Sequence, residues 1–307
     1  MIIVFGSINI DLVFRPSALP RAGETVLCDD FERVPGGKGA NQALAAALAQ
    51  ASGTPPVAMV GCVGSDAFAE PALALLSKAG VDLSRVRNAG RPTGCAAIVV
   101  DAGGRNQITV ASGANRAVEH GMVADDLLRP GTLVVLQNEV SPEENLALSR
   151  RAVQKGAAVI LNAAPARSFA ARDWTGLLRV LVVNESEAAA MAGSHDAQAL
   201  EALAAQLETT VVATLGADGA LAVSPREGAL RIGSLALERV VDTTAAGDSF
   251  VGALAAALQE QQSFADALRF ASVAGALACT KAGAQTSAPS RAEIVSRLGA
   301  LAPARHA

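Results

Sequence analysis

The chain has 307 residues, a formal net charge of −4 and a hydrophobic content of 51%, which is enough to bury a substantial core. The arginines are scattered, which disfavours a nucleic-acid surface, although a nucleotide site needs only a few amides and cations. We find no uninterrupted apolar run of about 18 residues, so a transmembrane helix is not expected, and the first residues lack the basic segment of a signal peptide. The four cysteines form no CxxC pair, so we expect a reduced, cytoplasmic protein.

Two early stretches, 12–33 and 91–114, alternate apolar and polar residues in the manner of half-buried strands. Within the second stretch, two such runs flank Gly103-Gly104, which is a hairpin signal. Neither stretch leads into a crossover helix. We therefore expect them to form a small antiparallel β-sheet that projects from the main domain as a lid.

From about residue 130 onward, short apolar runs alternate with helical stretches. Such runs are typical of parallel strands that helices cover on both faces. The expected strands are 133–136, 157–161, 180–183, 211–213 and 221–223, and the expected helices are 142–155, 187–191, 247–259, 264–281 and 291–301. The pattern predicts an α/β fold with three Rossmann-like layers and a mainly parallel sheet, as a single domain over 1–307 with the lid as an insertion.

The segment Val240–Phe250 carries the strongest chemical signal. We expect an apolar strand to end near Val241, small residues to follow, and a helix to begin near Gly247. Backbone N–H groups at such a helix start can hold an anion, and Asp248 in the first turn can accept a proton from an attacking hydroxyl. On local features alone an ordinary helix cap is the better explanation, but a cap needs neither the second acid, Asp242, nor the small residues between the two acids.

Two further segments, near the start of the chain, combine glycine with polar residues. Gly6–Asp11 leaves the first expected strand, and ligands of open α/β sheets bind at the carboxyl ends of strands. Pro35–Ala43 places three glycines around Lys38 before an alanine-rich helix over 40–49, which suits close approach of the backbone to a polar ligand. Neither segment matches a Walker A loop or a dinucleotide fingerprint. Taken alone, each segment is explained at least as well by a simple turn with no functional role.

Taken together, Gly36–Gln42 and Asp242–Asp248 resemble the two signatures of the ribokinase-like (PfkB) sugar kinase family. The resemblance extends over nearly the whole chain, through Gly6–Asn9, Gly113–Asn115, Asn162–Ala166, Asn184–Glu187, Thr214–Gly216 and Gly283–Gln285. It implies ATP-dependent transfer of the γ-phosphate to the primary hydroxyl of a pentose, with ribose as the expected substrate and ribose 5-phosphate as the product. A nucleoside or other sugar kinase of the same family, and a catalytically silent sugar-binding protein on the same fold, stay open as alternatives.

The resemblance also implies roles for individual residues. Asp248 is the expected catalytic base, with the amides of Ala245, Ala246 and Gly247 as the anion hole. The expected sugar ligands are Asn9, Asp11, Gly37, Lys38, Asn41 and Glu139, together with Asp248. The residues expected to border the nucleotide are Thr214, Gly216, Gly219, Gly247 and Ser272, the last at a position where relatives often carry Asn or His. Asn184 and Glu187 are expected to organise Mg²⁺ and the ATP phosphates, Glu187 through water.

A monovalent cation, expected to be an activating K⁺, is implied beside the anion hole. Its expected ligands are the side chains of Asp242, Thr244 and Ser287 and the carbonyls of Ala278, Lys281 and Gly283, all hard oxygen donors. Nucleoside kinases of the family tend to hold the base between aromatic side chains, and the lid stretch 91–114 has none, which favours a free sugar. Open strand edges on the lid predict a homodimer in which two lid sheets pair. We expect no nucleic-acid or membrane partner.

Overall fold

The protein is described by a computed structural model over residues 1–167 and 169–306. Within those ranges the strands are β1 (Ile2–Phe5), β2 (Asn9–Phe14), β3 (Phe31–Gly36), β4 (Ala58–Val63), β5 (Asp82–Asn88), β6 (Gly94–Val100), β7 (Asn106–Ala111), β8 (Leu133–Gln137), β9 (Ala158–Asn162), β10 (Val180–Asn184), β11 (Thr210–Thr214), β12 (Ala220–Ser224), β13 (Gly228–Ile232) and β14 (Arg305–His306). The α-helices are α1 (Lys38–Ala49), α2 (Ala69–Lys78), α3 (Pro142–Gln154), α4 (Glu185–Ala192), α5 (Ala197–Leu207), α6 (Ala246–Gln259), α7 (Phe264–Ala278) and α8 (Arg291–Leu298).

Ten of the strands form the main sheet, in the order β14-β13-β12-β11-β10-β9-β8-β1-β4-β5. The strands from β11 to β5 in that order pair in parallel, and β12, β13 and β14 add an antiparallel edge. The predicted α/β fold with a mainly parallel sheet is therefore confirmed. No helix in the two described ranges is both long and apolar enough to span a bilayer.

Helices cover both faces of the main sheet because its strands are apolar on both sides. Strand β1 shows the division: Ile2 and Val4 join a core with α1, α6 and α7, whereas Ile3 and Phe5 join a second core with α3 and α5. Successive side chains of a strand point to opposite faces, so one short run serves two cores. This produces the three layers that the sequence predicts.

A second, four-stranded sheet has the order β3-β2-β6-β7. It lies in the predicted lid region, but it is not purely antiparallel: β2–β3 and β6–β7 are antiparallel pairs, whereas the central pair β2–β6 is parallel. The reason is that β2 follows β1 and β6 follows β5, and β1 and β5 run in the same direction in the main sheet. The two segments leave the main sheet at the same end of its parallel strands, so β2 and β6 continue side by side in parallel.

The predicted helices and strands are present, with shifted ends: α7 ends at Ala278 and α8 at Leu298, and α4 begins at Glu185. Among the described residues, one predicted strand is absent. Val240 and Val241 form no strand, and both are largely exposed, at 58% and 47%. Their segment is held instead by backbone bonds from Val241 and Asp242 to the carbonyl of Cys279. A pair of β-branched residues thus predicted a strand where the chain has no sheet neighbour.

Close packing of α1 against α6 brings the segments Gly36–Gln42 and Asp242–Asp248 together. A side-chain carbon added at Gly252 in α6 would lie 2.6 Å from Ala45 Cβ and 2.7 Å from the Gln42 carbonyl oxygen in α1. The missing side chain therefore lets the two helices approach closely. As a result, the first turn of α1 faces the first turn of α6 at the carboxyl ends of β8 and β9.

Candidate active site

Asp248 lies in the first turn of α6 and is buried, with 6% of its surface exposed. Both carboxylate oxygens accept hydrogen bonds from α1: Asn41 Nδ2 donates to Oδ2 and Gln42 Nε2 to Oδ1, each at 2.9 Å. Burial raises the pKa of Asp248, while Lys38 and the two amides act in the opposite direction. A carboxylate that is buried but still hydrogen-bonded in its ionised form is suited to accept a proton from a bound hydroxyl.

The chain enters α6 through a left-handed residue, Ala245, whose φ is 57°. A non-glycine residue adopts this conformation at a cost in free energy. Among the predicted anion-hole amides, that of Ala246 makes a long bond of 3.3 Å to the Thr243 carbonyl. The first N–H groups of a helix have no intrahelical acceptor, and Gly247 lines the space ahead of α6.

That space is a cavity of about 220 Å³ that reaches Asp248. Its lining includes Lys38, Asn162, Asn184, Glu187, Thr214, Thr243, Ala245 and Gly247. Burial lowers the pKa of Lys38, but the surrounding carboxylates of Asp248, Glu139, Glu187 and Asp11 outweigh it, and the net shift is upward. Lys38 is therefore a cation at neutral pH in a cavity that a helix N-terminus also faces, which suits a phosphate group.

Two further carboxylates, those of Asp11 on β2 and Glu139, lie close enough to Asp248 to repel it electrostatically. Burial raises the pKa of Asp11 to about 7, with added repulsion from Glu139 and Asp248 and a partial offset from Lys38. Glu139 Oε2 accepts hydrogen bonds from Ser7 Oγ at 2.6 Å and from the Lys38 amide at 3.0 Å. These acceptor groups can receive several hydroxyl donors, as a small sugar requires.

The turn at Gly37 packs directly on the loop that follows β1. Gly37 has a φ of 87°, and a side-chain carbon there would lie 2.8 Å from the Asn9 amide nitrogen and 3.0 Å from the Ser7 carbonyl oxygen. Asn9 is itself buried, and its Oδ1 accepts a hydrogen bond of 2.7 Å from Asn115 Nδ2. The structure therefore brings Asn9, Asp11, Lys38, Asn41, Glu139 and Asp248 to one place.

A second cavity, of about 310 Å³, adjoins the first and shares lining residues with it. The five residues predicted to border a nucleotide all line it: Thr214, Gly216, Gly219, Gly247 and Ser272. Ser272 is 6% exposed, and its Oγ has no hydrogen-bond partner in the described part of the chain. Thr214, Thr243 and Gly247 line both cavities, so an elongated ligand can occupy both.

Asn184 and Glu187 form a reciprocal cap at the start of α4. Asn184 Oδ1 accepts from the Glu187 amide at 2.8 Å, and Glu187 Oε2 accepts from the Asn184 amide at 2.9 Å. This cap stabilises α4 whatever else the two residues do. Burial also raises the pKa of Glu187, whose side chain lines the smaller cavity, so the pair combines a structural contact with a place in the site.

The predicted cation ligands lie in two segments, 242–244 and 278–287, and hydrogen bonds to Asp242 join these segments. Asp242 Oδ1 accepts from Thr244 N at 2.9 Å and Oγ1 at 2.6 Å, and its Oδ2 accepts from Gly283 N at 2.9 Å. Burial opposes ionisation, but these hydrogen bonds outweigh it and lower the pKa of Asp242. An anionic carboxylate beside backbone carbonyls suits a hard monovalent cation. The buried Ser287 Oγ donates to the Ala284 carbonyl at 2.9 Å, so its oxygen keeps lone pairs for a further partner.

Some residues of this site were given no role by the sequence. Gln42 contacts Asp248, Asn162 lines the cavity, and Ser7 and Asn115 hold the sugar-side residues. Each lies in or next to a segment that the sequence singled out. Their residue types alone did not indicate a function, however, because a buried amide or hydroxyl has no recognisable function until its partners are known.

Comparisons with known proteins agree with this geometry. The model of the pfkB family carbohydrate kinases matches residues 1–291. The chain is 36% identical to a ribokinase of Lactococcus lactis over 300 residues, which is 97% of each chain. Among solved structures it is similar to Thermotoga maritima ribokinase, with a TM-score of 0.88, 32% identity and coverage of 97% and 99%. It is also similar to Arabidopsis thaliana ribokinase complexed with ribose and ATP, with a TM-score of 0.87, 31% identity and coverage of 97% and 98%. With the signature segments assembled around Asp248, the chain belongs to the pfkB family of carbohydrate kinases.

Proposed function

We propose that this chain is an ATP-dependent ribose kinase that forms ribose 5-phosphate. The observation that carries the proposal is the position of Asp248, which is buried near the carboxylates of Asp11 and Glu139 and lines a cavity with Lys38 and the start of α6. A sugar held by those carboxylates and a triphosphate in that cavity would meet at Asp248. The full-length similarity to ribokinases supports ribose as the sugar.

In the proposed reaction, ribose O5 attacks the γ-phosphorus of ATP while its proton passes to Asp248. The bond from the γ-phosphorus to the β–γ bridging oxygen breaks, and ADP leaves with that electron pair. Lys38 and the Gly247 amide lie where they would stabilise charge on the transferred phosphoryl oxygens. Asp11 and Glu139 would hold ribose hydroxyls so that O5 points at Asp248.

Two metal ions are part of the proposal. Mg²⁺ would be held near Glu187 through water and would neutralise phosphate charge. K⁺ would be held by Asp242, Thr244, Ser287 and the carbonyls of Ala278, Lys281 and Gly283, where it would stabilise the loop that leads into α6. The hard oxygen donors of both sets fit these ions.

A free sugar, rather than a nucleoside, is supported by the direction of the aromatic residues in the small sheet. Phe14 and Phe31 stack on each other, with ring centroids 5.6 Å apart. Phe14 is three residues from Asp11 on β2 and therefore points to the opposite face of the sheet. These two rings are then not available to hold a base beside Asp11.

We further propose that the small sheet closes over the sugar as a lid, that two copies of the chain pair through these sheets, and that the protein is cytoplasmic. The outer strand β7 is exposed along its whole length, including Ile108 and Val110. A second copy would cover its open edge. Free cysteines at all four positions suit a reducing compartment.

An ADP-release assay with ATP and Mg²⁺ tests the proposal. The acceptors are ribose, 2-deoxyribose, fructose, adenosine and cytidine, each with K⁺ or with Na⁺ alone. We expect ribose to be the best acceptor and K⁺ to activate. Preference for a nucleoside would retain the roles of Asp248 and α6 but contradict the sugar assignment. No turnover with any acceptor, together with a sugar-induced rise in melting temperature, would favour a silent sugar-binding protein.

A further inference from the structure

Gln42 is completely buried at the start of α1, between Asp248 and the ends of two strands. Its Nε2 donates two hydrogen bonds, to Asp248 Oδ1 at 2.9 Å and to Asn162 Oδ1 at 3.0 Å. Its Oε1 accepts from Gln137 Nε2 at 2.8 Å. Gln137 ends β8 and Asn162 ends β9, so the Gln42 side-chain amide links the Asp248 carboxylate to the carboxyl ends of two central strands of the main sheet.

The direction of this amide is fixed by its partners. If it were reversed, its oxygen would face two acceptor oxygens, on Asp248 and Asn162, and both hydrogen bonds would be lost. Both N–H protons of the Gln42 side chain are therefore used in hydrogen bonds within the protein. Because a buried amide without partners is costly, the network holds Gln42 in a single orientation.

Asp248 is held in the same way from both sides. Gln42 bonds Oδ1 and Asn41 bonds Oδ2, so rotation of the carboxylate breaks a hydrogen bond at each oxygen. The two amides differ in one respect. Asn41 Oδ1 is buried without a partner in the described part of the chain, which leaves it available to a ligand, whereas every polar atom of Gln42 is already used within the protein.

We propose that Gln42 is a positioning residue for phosphoryl transfer, which fixes the rotation of the Asp248 carboxylate and favours its ionised form. The inference rests on the proposed function, in which Asp248 is the base. A donor to a carboxylate stabilises the charged state and therefore opposes protonation. Gln42 thus keeps a deeply buried carboxylate able to accept a proton.

The charged groups that face Asp248 come from several elements. Lys38 lies on α1, Asp11 on β2, Glu139 in the loop after β8, and Glu187 on α4. Gln42 is neutral, so replacing it by another neutral residue leaves all of these charges unchanged. A change in the pH profile of such a variant then reports the lost hydrogen bond.

The experiment compares the pH dependence of kcat in the unmodified chain, Gln42→Met and Gln42→Glu. For Gln42→Met we expect kcat at neutral pH to fall about 10- to 100-fold, as for a lost hydrogen bond to a charged group, with the KM for sugar changed less than about 3-fold. The acid-side midpoint of the profile should move to higher pH. Gln42→Glu keeps the shape and the acceptor for Gln137 but sets a second carboxylate against Asp248, so its midpoint should rise further.

Asn145→Leu is the matched control. Asn145 is also a fully buried amide, and it donates to the Gln137 carbonyl rather than to its side chain. We expect this variant to lose thermal stability without a shift in its pH profile. An unshifted profile and near-normal kcat in Gln42→Met, or an equal shift in Asn145→Leu, would overturn the proposal.

A measurement on the unmodified protein decides the question if the variants do not fold or if no sugar is phosphorylated. The side-chain amide protons of Gln42 and the carboxyl carbon of Asp248 are followed by NMR during a pH titration. We expect both to move with the same midpoint. Gln42 signals that stay fixed while Asp248 titrates would reject the inference, whereas absence of kinase activity alone would reject only the proposed function.

Discussion

At the scale of single residues, the site is built from carboxylates held in different environments. Asp248 is buried and hydrogen-bonded by two amides, whereas Asp11 is half-buried near two other acids, and this burial and repulsion raise its pKa to about 7. In the proposed mechanism, environment rather than residue type therefore separates the base, Asp248, from the sugar ligand, Asp11. The sequence could place both acids at strand or helix ends, but it could not give their neighbours or the side-chain bonds of Gln42.

The raised pKa of Asp11 predicts that sugar binding depends on pH. In the proposed site Asp11 is the stronger acceptor for sugar hydroxyls when it is ionised, and with a pKa of about 7 it is mostly protonated at pH 6 and mostly ionised at pH 8. We expect the KM for ribose to be about 10-fold higher at pH 6 than at pH 8, since each unit below a pKa changes the ionised fraction about tenfold. Steady-state kinetics between pH 6 and pH 8 measure this change in the KM for ribose.

Asp11→Asn is the control for this effect. It should bind ribose weakly at both pH values and lose most of the pH dependence of KM, because no carboxylate is left to titrate. A KM that is constant from pH 6 to pH 8 in the unmodified chain would show that Asp11 does not receive the sugar hydroxyls in its ionised form.

At the scale of elements, the site depends on two tight approaches between backbone segments. The turn before α1 packs against the loop after β1, and α6 packs against α1. Periodicity and turn residues predicted these helices and most main-sheet strands, since those signals are local. The parallel pairing of β2 with β6 could not be predicted in the same way, because it follows from the directions of β1 and β5 in a sheet assembled from distant segments.

The Gly37 turn gives a prediction on stability. In Gly37→Ala the new side-chain carbon must meet the Asn9 amide and the Ser7 carbonyl, in addition to the cost of a positive φ. A left-handed conformation costs a non-glycine residue about 1–2 kcal/mol, and overpacking adds typically about 1–3 kcal/mol. We expect urea denaturation to show both losses in the free energy of unfolding, with weaker ribose binding.

Gly53→Ala is the matched variant for this comparison. Gly53 also has a positive φ, of 83°, but a side-chain carbon there would meet nothing within 4 Å. It should show only the backbone cost and normal ribose kinetics. Equal losses at Gly37 and Gly53 would mean that the contact between the turn and the loop after β1 is not a close one.

At the scale of the whole molecule, a large α/β body carries a small sheet whose outer strand is open. The sequence predicted both parts, because strands that alternate apolar and polar residues differ in pattern from short apolar strands that alternate with helices. The proposed pairing of two molecules is not encoded in a local pattern. It depends on the shape and exposure of the folded surface, where Ile108 and Val110 stand out on β7 at 55% and 48% exposed.

Ile108→Lys tests the proposed homodimer. A charge on the exposed face of β7 should prevent two small sheets from packing and leave the protein monomeric. Equilibrium sedimentation at micromolar concentration should therefore show a dimer for the unmodified chain and a monomer for the variant. Val295→Lys, at a similarly exposed position on α8, should stay dimeric. A monomeric unmodified chain would remove the proposal.

The most direct test of the central claim is phosphoryl transfer from ATP to ribose by the unmodified chain and by Asp248→Asn, with the product identified by ³¹P NMR. We predict that the unmodified chain forms ribose 5-phosphate and that the variant turns over about 10²- to 10⁴-fold more slowly, the range for a lost general base, with little change in ribose binding. Near-normal turnover in Asp248→Asn would show that another group accepts the proton. No phosphorylation of ribose by the unmodified chain would contradict the proposed function itself.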